Sequence, residues 1–146
     1  MTSDRDIRQD ERMDEVAIVS IEGRTLRFSD PRRRDQDGIW SFGVALAADT
    51  GSASTQVWDS GDALAALFRE LADAIGGFEG QREYGSLEGQ LSLCCTHDGR
   101  GTVGCLVTLA RLEPPEWSFS AHLDLGSGAH LEGIAEQFER FVAATD

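Results

Sequence analysis

The chain has 146 residues, enough for one ordinary domain around a single core and too few for two of usual size. With 40% hydrophobic and 27% charged residues, wholesale disorder is excluded; no apolar run approaches the roughly eighteen residues of a membrane span, and the start, MTSDRDIRQDERMDE, lacks the apolar core of a secretory signal. The net charge of −13 is uneven: residues 1–38 hold ten acids against eight arginines, residues 39–146 sixteen against five. An acidic folded part repels nucleic acid and anionic membrane and favours encounter with basic proteins, so a cytoplasmic protein with no nucleic-acid or membrane partner is expected.

Residues 1–14 alternate acids, arginines and small polar groups without an apolar period, which predicts a disordered tail ahead of a single domain over residues 15–146. "EVAIVSIEG" and "RTLRFSD" then read as two strands joined around Gly23. "DPRRRDQDG", residues 30–38, has the composition of a solvated loop. Beyond it, Trp40, Phe42, Val44, Leu46 and Ala48 recur at period two in "IWSFGVALAAD". After a turn at Asp49–Gly51, "GSASTQVWD" completes a second hairpin.

Asp59 or Ser60 is positioned to cap a helix with Asp62 in its first turn. In that helix Leu64, Leu67, Phe68, Leu71 and Ile75 recur at spacings of three and four before Gly76-Gly77 end it. The next stretch, "GGFEGQREYGSLEGQ" (76–90), holds five glycines and an exposed-looking Tyr84, and reads as a long connection of the kind that carries binding. Phe78, Tyr84 and Leu87 are alternatively a staple that fastens it to the sheet.

"QLSLCCTHD" and "TVGCLVTLARL" form a third hairpin around Asp98-Gly99-Arg100-Gly101, a three-residue loop with glycine at the left-handed position. That loop sets Leu91, Leu93, Cys95 and His97 opposite Leu109, Val107, Cys105 and Val103 as one apolar face, and turns Ser92, Cys94 and Thr96 away. In "EWSFSAHLDLG", Trp117, Phe119, Ala121, Leu123 and Leu125 face the core, with Ser118, Ser120, His122 and Asp124 on the wetter side. A closing helix is predicted from Leu131, Ile134, Phe138, Phe141 and Val142, with Glu132, Glu136 and Glu139 opposite. The fold class that follows is α+β: a mainly antiparallel sheet of about seven strands with two amphipathic helices, in the order ββββ-α-βββ-α.

Catalytic chemistry finds little support in these residues. Cys95, His97 and Cys105 share a face and are the best candidate metal ligands, but C-x-H on a strand is not a zinc signature and buried thiols act well as small hydrophobes. A cross-strand Cys95–Cys105 disulfide is the other alternative. Gly126-Ser127-Gly128 precedes a helix yet lacks the rest of a dinucleotide fingerprint, and neither His122 nor His130 has triad partners at readable spacing. Glu79 and Glu83, four apart, are a weak acid and base pair. A non-enzymatic protein without a cofactor is therefore expected.

The run of a tryptophan-bearing hairpin, a leucine-rich helix, "SLEGQLSL", "HDGRGTVGCLVTL", "PPEWSFSAHLDL" and a closing amphipathic helix resembles a family of small uncharacterised actinobacterial proteins over residues 16–142. It also looks like the immunity proteins of polymorphic toxin systems. Phe78 and Tyr84 stand where that resemblance leads one to expect tryptophans. The resemblance implies a non-enzymatic cytoplasmic protein that neutralises a toxin by binding it. Charge then makes Glu79, Arg82, Glu83, Tyr84 and Glu88 of the connection, with Glu132, Glu136 and Glu139 of the last helix, the candidate contacts for a basic partner. The alternative is a small-molecule binding domain with a cleft between sheet and helix, and a homodimer is compatible with either.

Overall fold

The computed structural model describes residues 14–33 and 35–145, so the disordered tail expected over residues 1–14 lies, but for Asp14, outside the described residues. Among the described residues the alternating and helical periods resolve into eight strands and two helices. The first half runs β1 (Glu15–Val19), β2 (Thr25–Arg32), β3 (Ile39–Ala48), β4 (Gly51–Ser60) and α1 (Ala63–Asp73). The second half repeats that order with β5 (Arg82–Gly85), β6 (Leu91–His97), β7 (Thr102–Arg111), β8 (Trp117–Gly126) and α2 (Ala129–Ala143). Each set of four strands is an antiparallel meander in sequential order.

The α+β class and antiparallel pairing hold, but the single seven-stranded sheet is replaced by two sheets of four. The strand that sequence periodicity misses is β5. Four residues between glycine-containing turns are too few to show a period, and its inward side chain, Tyr84, is only 7% exposed. Pairing extends Glu83↔Cys94 and Tyr84↔Leu93, so part of the expected 76–90 connection is sheet.

The third hairpin has the register its loop chemistry demands: Leu91↔Leu109, Leu93↔Val107, Cys95↔Cys105 and His97↔Val103. Asp98 closes that loop, its Oδ1 accepting the N–H groups of Arg100 (2.6 Å) and Thr102 (3.1 Å). Those bonds hold the Asp98 carboxyl below the usual carboxylate range, Arg100 contributing most. Gly99 and Gly101 both have positive φ, 76° and 90°, which a side chain would resist.

Helix α1 starts later than its cap signals imply. Strand β4 continues through Ser60, and Asp62 occupies the N-cap position without a side-chain capping bond. Asp59 is instead drawn into the interior as a hydrogen-bond acceptor, described below. The helix ends at Asp73, which leaves Ile75 66% exposed and outside the buried stripe of Leu64, Leu67, Phe68 and Leu71.

One apolar cluster takes a face from each sheet and the stripe of each helix. Sheet one contributes Val16, Ile18, Leu26, Phe28, Trp40, Phe42, Val44 and Leu46; sheet two contributes the β6–β8 face containing Cys95 and Cys105. Phe138 of α2 stacks on Phe68 of α1 at 4.7 Å between centroids and meets Phe28 of β2 edge-on at 4.8 Å. Trp40, Phe42 and Phe141 extend that aromatic group, and the Trp40 indole N–H donates to the Gly61 carbonyl at 3.1 Å. His130, in the first turn of α2, bridges both halves. Its Nδ1 accepts the Gly126 N–H (2.8 Å), and Nε2 lies 3.0 Å from the Val19 carbonyl, which fixes the Nε2–H tautomer.

Phe138 touches both repeats, so Phe138→Ala will cost about 3–5 kcal/mol in denaturant unfolding, the upper range for aromatic truncation in a core.

Candidate partner-binding surfaces

The expected contact residues fall into three groups. Glu79, Glu83, Glu88 and Glu136 are exposed carboxylates. Tyr84 is buried, against the exposed position expected, and its hydroxyl donates to Asp59 Oδ2, joining β5 of one sheet to β4 of the other. Asp59 Oδ1 also accepts the Ser60 N–H at 2.8 Å. Burial, reinforced by the Asp59 bond and charge, pushes the Tyr84 phenol far above its ordinary value.

Arg82, Glu132 and Glu139 are engaged within the molecule. Arg69 of α1 donates Nη1 to both Glu132 oxygens at 2.9 Å, and Nε and Nη2 to Glu139 at 3.0 and 2.9 Å. This bidentate grip crosses from one helix to the other beside the Phe68–Phe138 stack. Arg82 pairs with Glu70 at 2.5 Å, lies 4.6 Å from the centroid of the Phe78 ring, and donates to the Glu79 and Gln81 carbonyls. Arginine geometry thus consumes charges that helical periodicity placed on an open acidic face.

The cysteine-rich hairpin is core. Cys94, Cys95 and Cys105 are free thiols, Cys95 and Cys105 being buried cross-strand neighbours. The Cys95 contact, then burial, drives the Cys105 thiol far above its ordinary value, so it is no ready thiolate ligand. His97 is occupied at the rim: Nδ1 accepts the Gly99 N–H at 2.8 Å and Nε2 lies 3.4 Å from Ser127 Oγ. Its ring also meets Phe78 edge-on at 5.7 Å. Among the described residues no three His, Cys, Asp or Glu side chains form a metal-binding group. No helix among them is long and apolar enough to cross a membrane.

A groove absent from the sequence reading lies where the edge of β4 meets the turns of the second sheet. It measures about 350 Å³ and is lined by Thr55, Gln56, Trp58, Glu88, Arg111, Leu112 and neighbouring groups. Trp58 is 41% exposed, Leu112 59%, and the adjoining Leu87 53%. The Leu87 N–H donates to the Trp58 carbonyl at 3.3 Å, which fixes one wall against the other. Arg111 braces the β7–β8 turn through the carbonyls of Glu113 (3.2 Å) and Pro114 (3.3 Å), and the rim carries Glu88 and Glu113 beside its guanidinium. Trp58 lies on β4 and Leu112 just past the end of β7, fifty-four positions apart, and the docking of the two sheets brings them together.

These features define a small α+β protein made of two ββββα repeats, acidic at its surface and carrying an aromatic groove between its sheets. Residues 17–145 match the sequence profile of a family of unknown function, DUF6228, and the chain belongs to that family. No curated protein and no solved structure matches it.

Tyr84→Phe removes one oxygen and leaves the buried Asp59 carboxylate short of a donor, so it will lower unfolding free energy by about 1–3 kcal/mol in denaturant titration. The Arg69 grip, chiefly its hydrogen bond to Glu139, holds that carboxyl below its ordinary value. A carboxyl lowered on folding stabilises above the ordinary range, and that contribution is lost as pH falls through the lowered value. Arg69→Met will therefore reduce Tm at pH 7, and the gap from wild type will close as pH drops below about 4 in thermal unfolding series.

Proposed function

We propose that the protein acts by binding a second, basic protein through the groove at Trp58, as an immunity-like module occupying the basic surface of a toxin would. The observation that supports this most directly is the pairing of large exposed apolar side chains, Trp58, Leu87 and Leu112, with carboxylates at Glu88 and Glu113. Aromatic and aliphatic anchors inside a polar rim are the composition of interface hot spots. A net charge of −13 draws a basic partner in, and the rim carboxylates select it over an acidic one. Exposed Glu79, Glu83 and Glu136 extend the attraction beyond the groove, which speeds encounter more than it strengthens the complex. A non-enzymatic, cytoplasmic role in an actinobacterial cell accords with this reading. The small-molecule alternative gains no support, because Phe28, Phe68, Phe138 and Phe141 fill the space between sheet and helices that its cleft requires.

The test is titration of the tagged protein against basic proteins encoded beside it, with Trp58→Ala and Glu88→Arg variants measured alongside. Trp58→Ala will weaken the complex by about thirtyfold or more, the loss typical of a central aromatic anchor, through faster dissociation. Glu88→Arg will slow association and flatten its salt dependence. Full affinity in both variants, with their thermal unfolding unchanged, would exclude the groove.

A further inference from the structure

A strand at the end of a sheet turns a row of backbone groups away from its only neighbour, and β1, β4, β5 and β8 hold that position. The edge of β1 is covered by α2, where Gln137 Oε1 accepts the Ala17 N–H at 3.2 Å and His130 Nε2 lies 3.0 Å from the Val19 carbonyl. The far half of β8 is closed by the β1–β2 turn. There Ile21 N–H donates to the Asp124 carbonyl, Arg24 to the His122 carbonyl, and Asp124 N–H to Glu22 Oε1. The part of β8 left open, at Ser118 and Ser120, is short and follows directly on Pro114-Pro115, residues that discourage pairing. Strand β5 has only four residues and turns charged Glu83 outward with Gly85.

Strand β4 is the long exception. Its Trp58 carbonyl points away from β3, since the Leu87 N–H reaches it from the far side at 3.3 Å. Backbone direction alternates along a strand, so Gln56, Ser54 and Ser52 turn an N–H and a C=O the same way. Among the described residues those groups have no partner except the Thr55 hydroxyl, 3.5 Å from the Gln56 carbonyl. Ser52 and Ser54 are exposed and Gln56 is half-buried. The stretch reads Ser-Ala-Ser-Thr-Gln, with none of the lysines, prolines or inward charges that guard an edge. The groove of about 350 Å³ opens beside it.

We propose that the basic partner of the groove binds by laying an extended segment along β4 from Ser52 to Gln56, as a fifth strand of the first sheet. This rests on the reading of the groove as a protein-binding surface and adds the mode of binding. Only an extended chain presents N–H and C=O groups at the spacing of that edge, about 17 Å for five residues. The Leu87–Trp58 bond is one rung of the same ladder, made by the chain itself, and it marks where the added strand ends. Alternate side chains of the segment fall on opposite faces. One set shares the face of Ser54 and Trp58, and the other turns with Thr55 toward the second-sheet wall of the groove. That wall carries Leu112 and two carboxylates, Glu88 and Glu113, against the one guanidinium of Arg111, which already donates to two carbonyls. An apolar set on Trp58 and a basic set toward the carboxylates is therefore the complementary pattern. A second copy of the chain is disfavoured as the donor of the strand, because two molecules of −13 repel.

The experiment uses a capped synthetic octapeptide of alternating lysine and valine, added up to about 2 mM to the full chain, with amide shifts and hydrogen exchange followed residue by residue by NMR. Exchange at Ser52, Ser54 and Gln56 will slow at least about fivefold on saturation. The glutamate–valine analogue and the same peptide N-methylated throughout will each bind at least about tenfold more weakly. Ser54→Pro will abolish binding while the protein melts as a folded domain, because the N–H it removes faces away from β3; Ser54→Ala will bind as wild type, since the backbone makes the contact. Trp58→Ala and Glu88→Arg separate the two readings. Peptide affinity that falls in both variants, without protection along β4, keeps the groove and overturns the added strand. Protection along β4 that neither variant weakens keeps the strand and removes the groove. No binding at the highest concentration, or full binding of the N-methylated peptide, overturns the proposal.

Discussion

The Phe138 ring is the contact on which the architecture turns. It stacks on Phe68 of the other helix and presses edge-on against Phe28 of the first sheet, so one side chain of the second repeat packs against both the helix and the sheet of the first. Neither ββββα unit can bury its own sheet face and helix stripe alone, because a four-stranded meander with a single helix leaves much of its apolar face uncovered. Placing the two helices side by side makes one cluster of what would otherwise be two exposed surfaces. The Arg69 bridge to Glu132 and Glu139 lies on the solvent side of the same seam, where it aligns helices that packing has already brought together.

The polar contacts that cross between the sheets follow from that arrangement. Tyr84 and Asp59 meet because β5 lies against the end of β4, and a buried carboxylate is tolerable there only with donors supplied by both halves. At another crossing, the Ile21 N–H donates to the Asp124 carbonyl (2.8 Å) and Arg24 donates to the His122 carbonyl (2.6 Å), closing the end of β8 with the β1–β2 turn. Edge backbone is thereby satisfied instead of being left as a template for pairing.

The two outer surfaces divide by chemistry. Carboxylates gather on turns and helices, where side chains reach solvent, while the outward face of the second sheet carries mostly glycine, serine and threonine, with Glu83 and Asp124 at its two edge strands.

Local pattern alone determined much of this protein. Period-two alternation located seven strands, three-and-four spacing located both helices, and the Asp98–Gly101 loop set the β6–β7 register to the residue, because turn geometry and a one-sided apolar face permit a single pairing. What local pattern left open is everything that depends on distant residues meeting. β5 is too short to carry a period and exists as a strand because β6 offers it an edge. Asp59 looks like a helix cap until Tyr84 supplies a buried donor, and Glu132 and Glu139 look free until Arg69 arrives from the other helix. The groove joins residues 58, 88 and 112, which share no local signal. Sequence spacing reports on neighbours along a strand or helix, whereas burial, ion pairing and surface shape are properties of how two sheets and two helices close on one core, and only tertiary packing decides those.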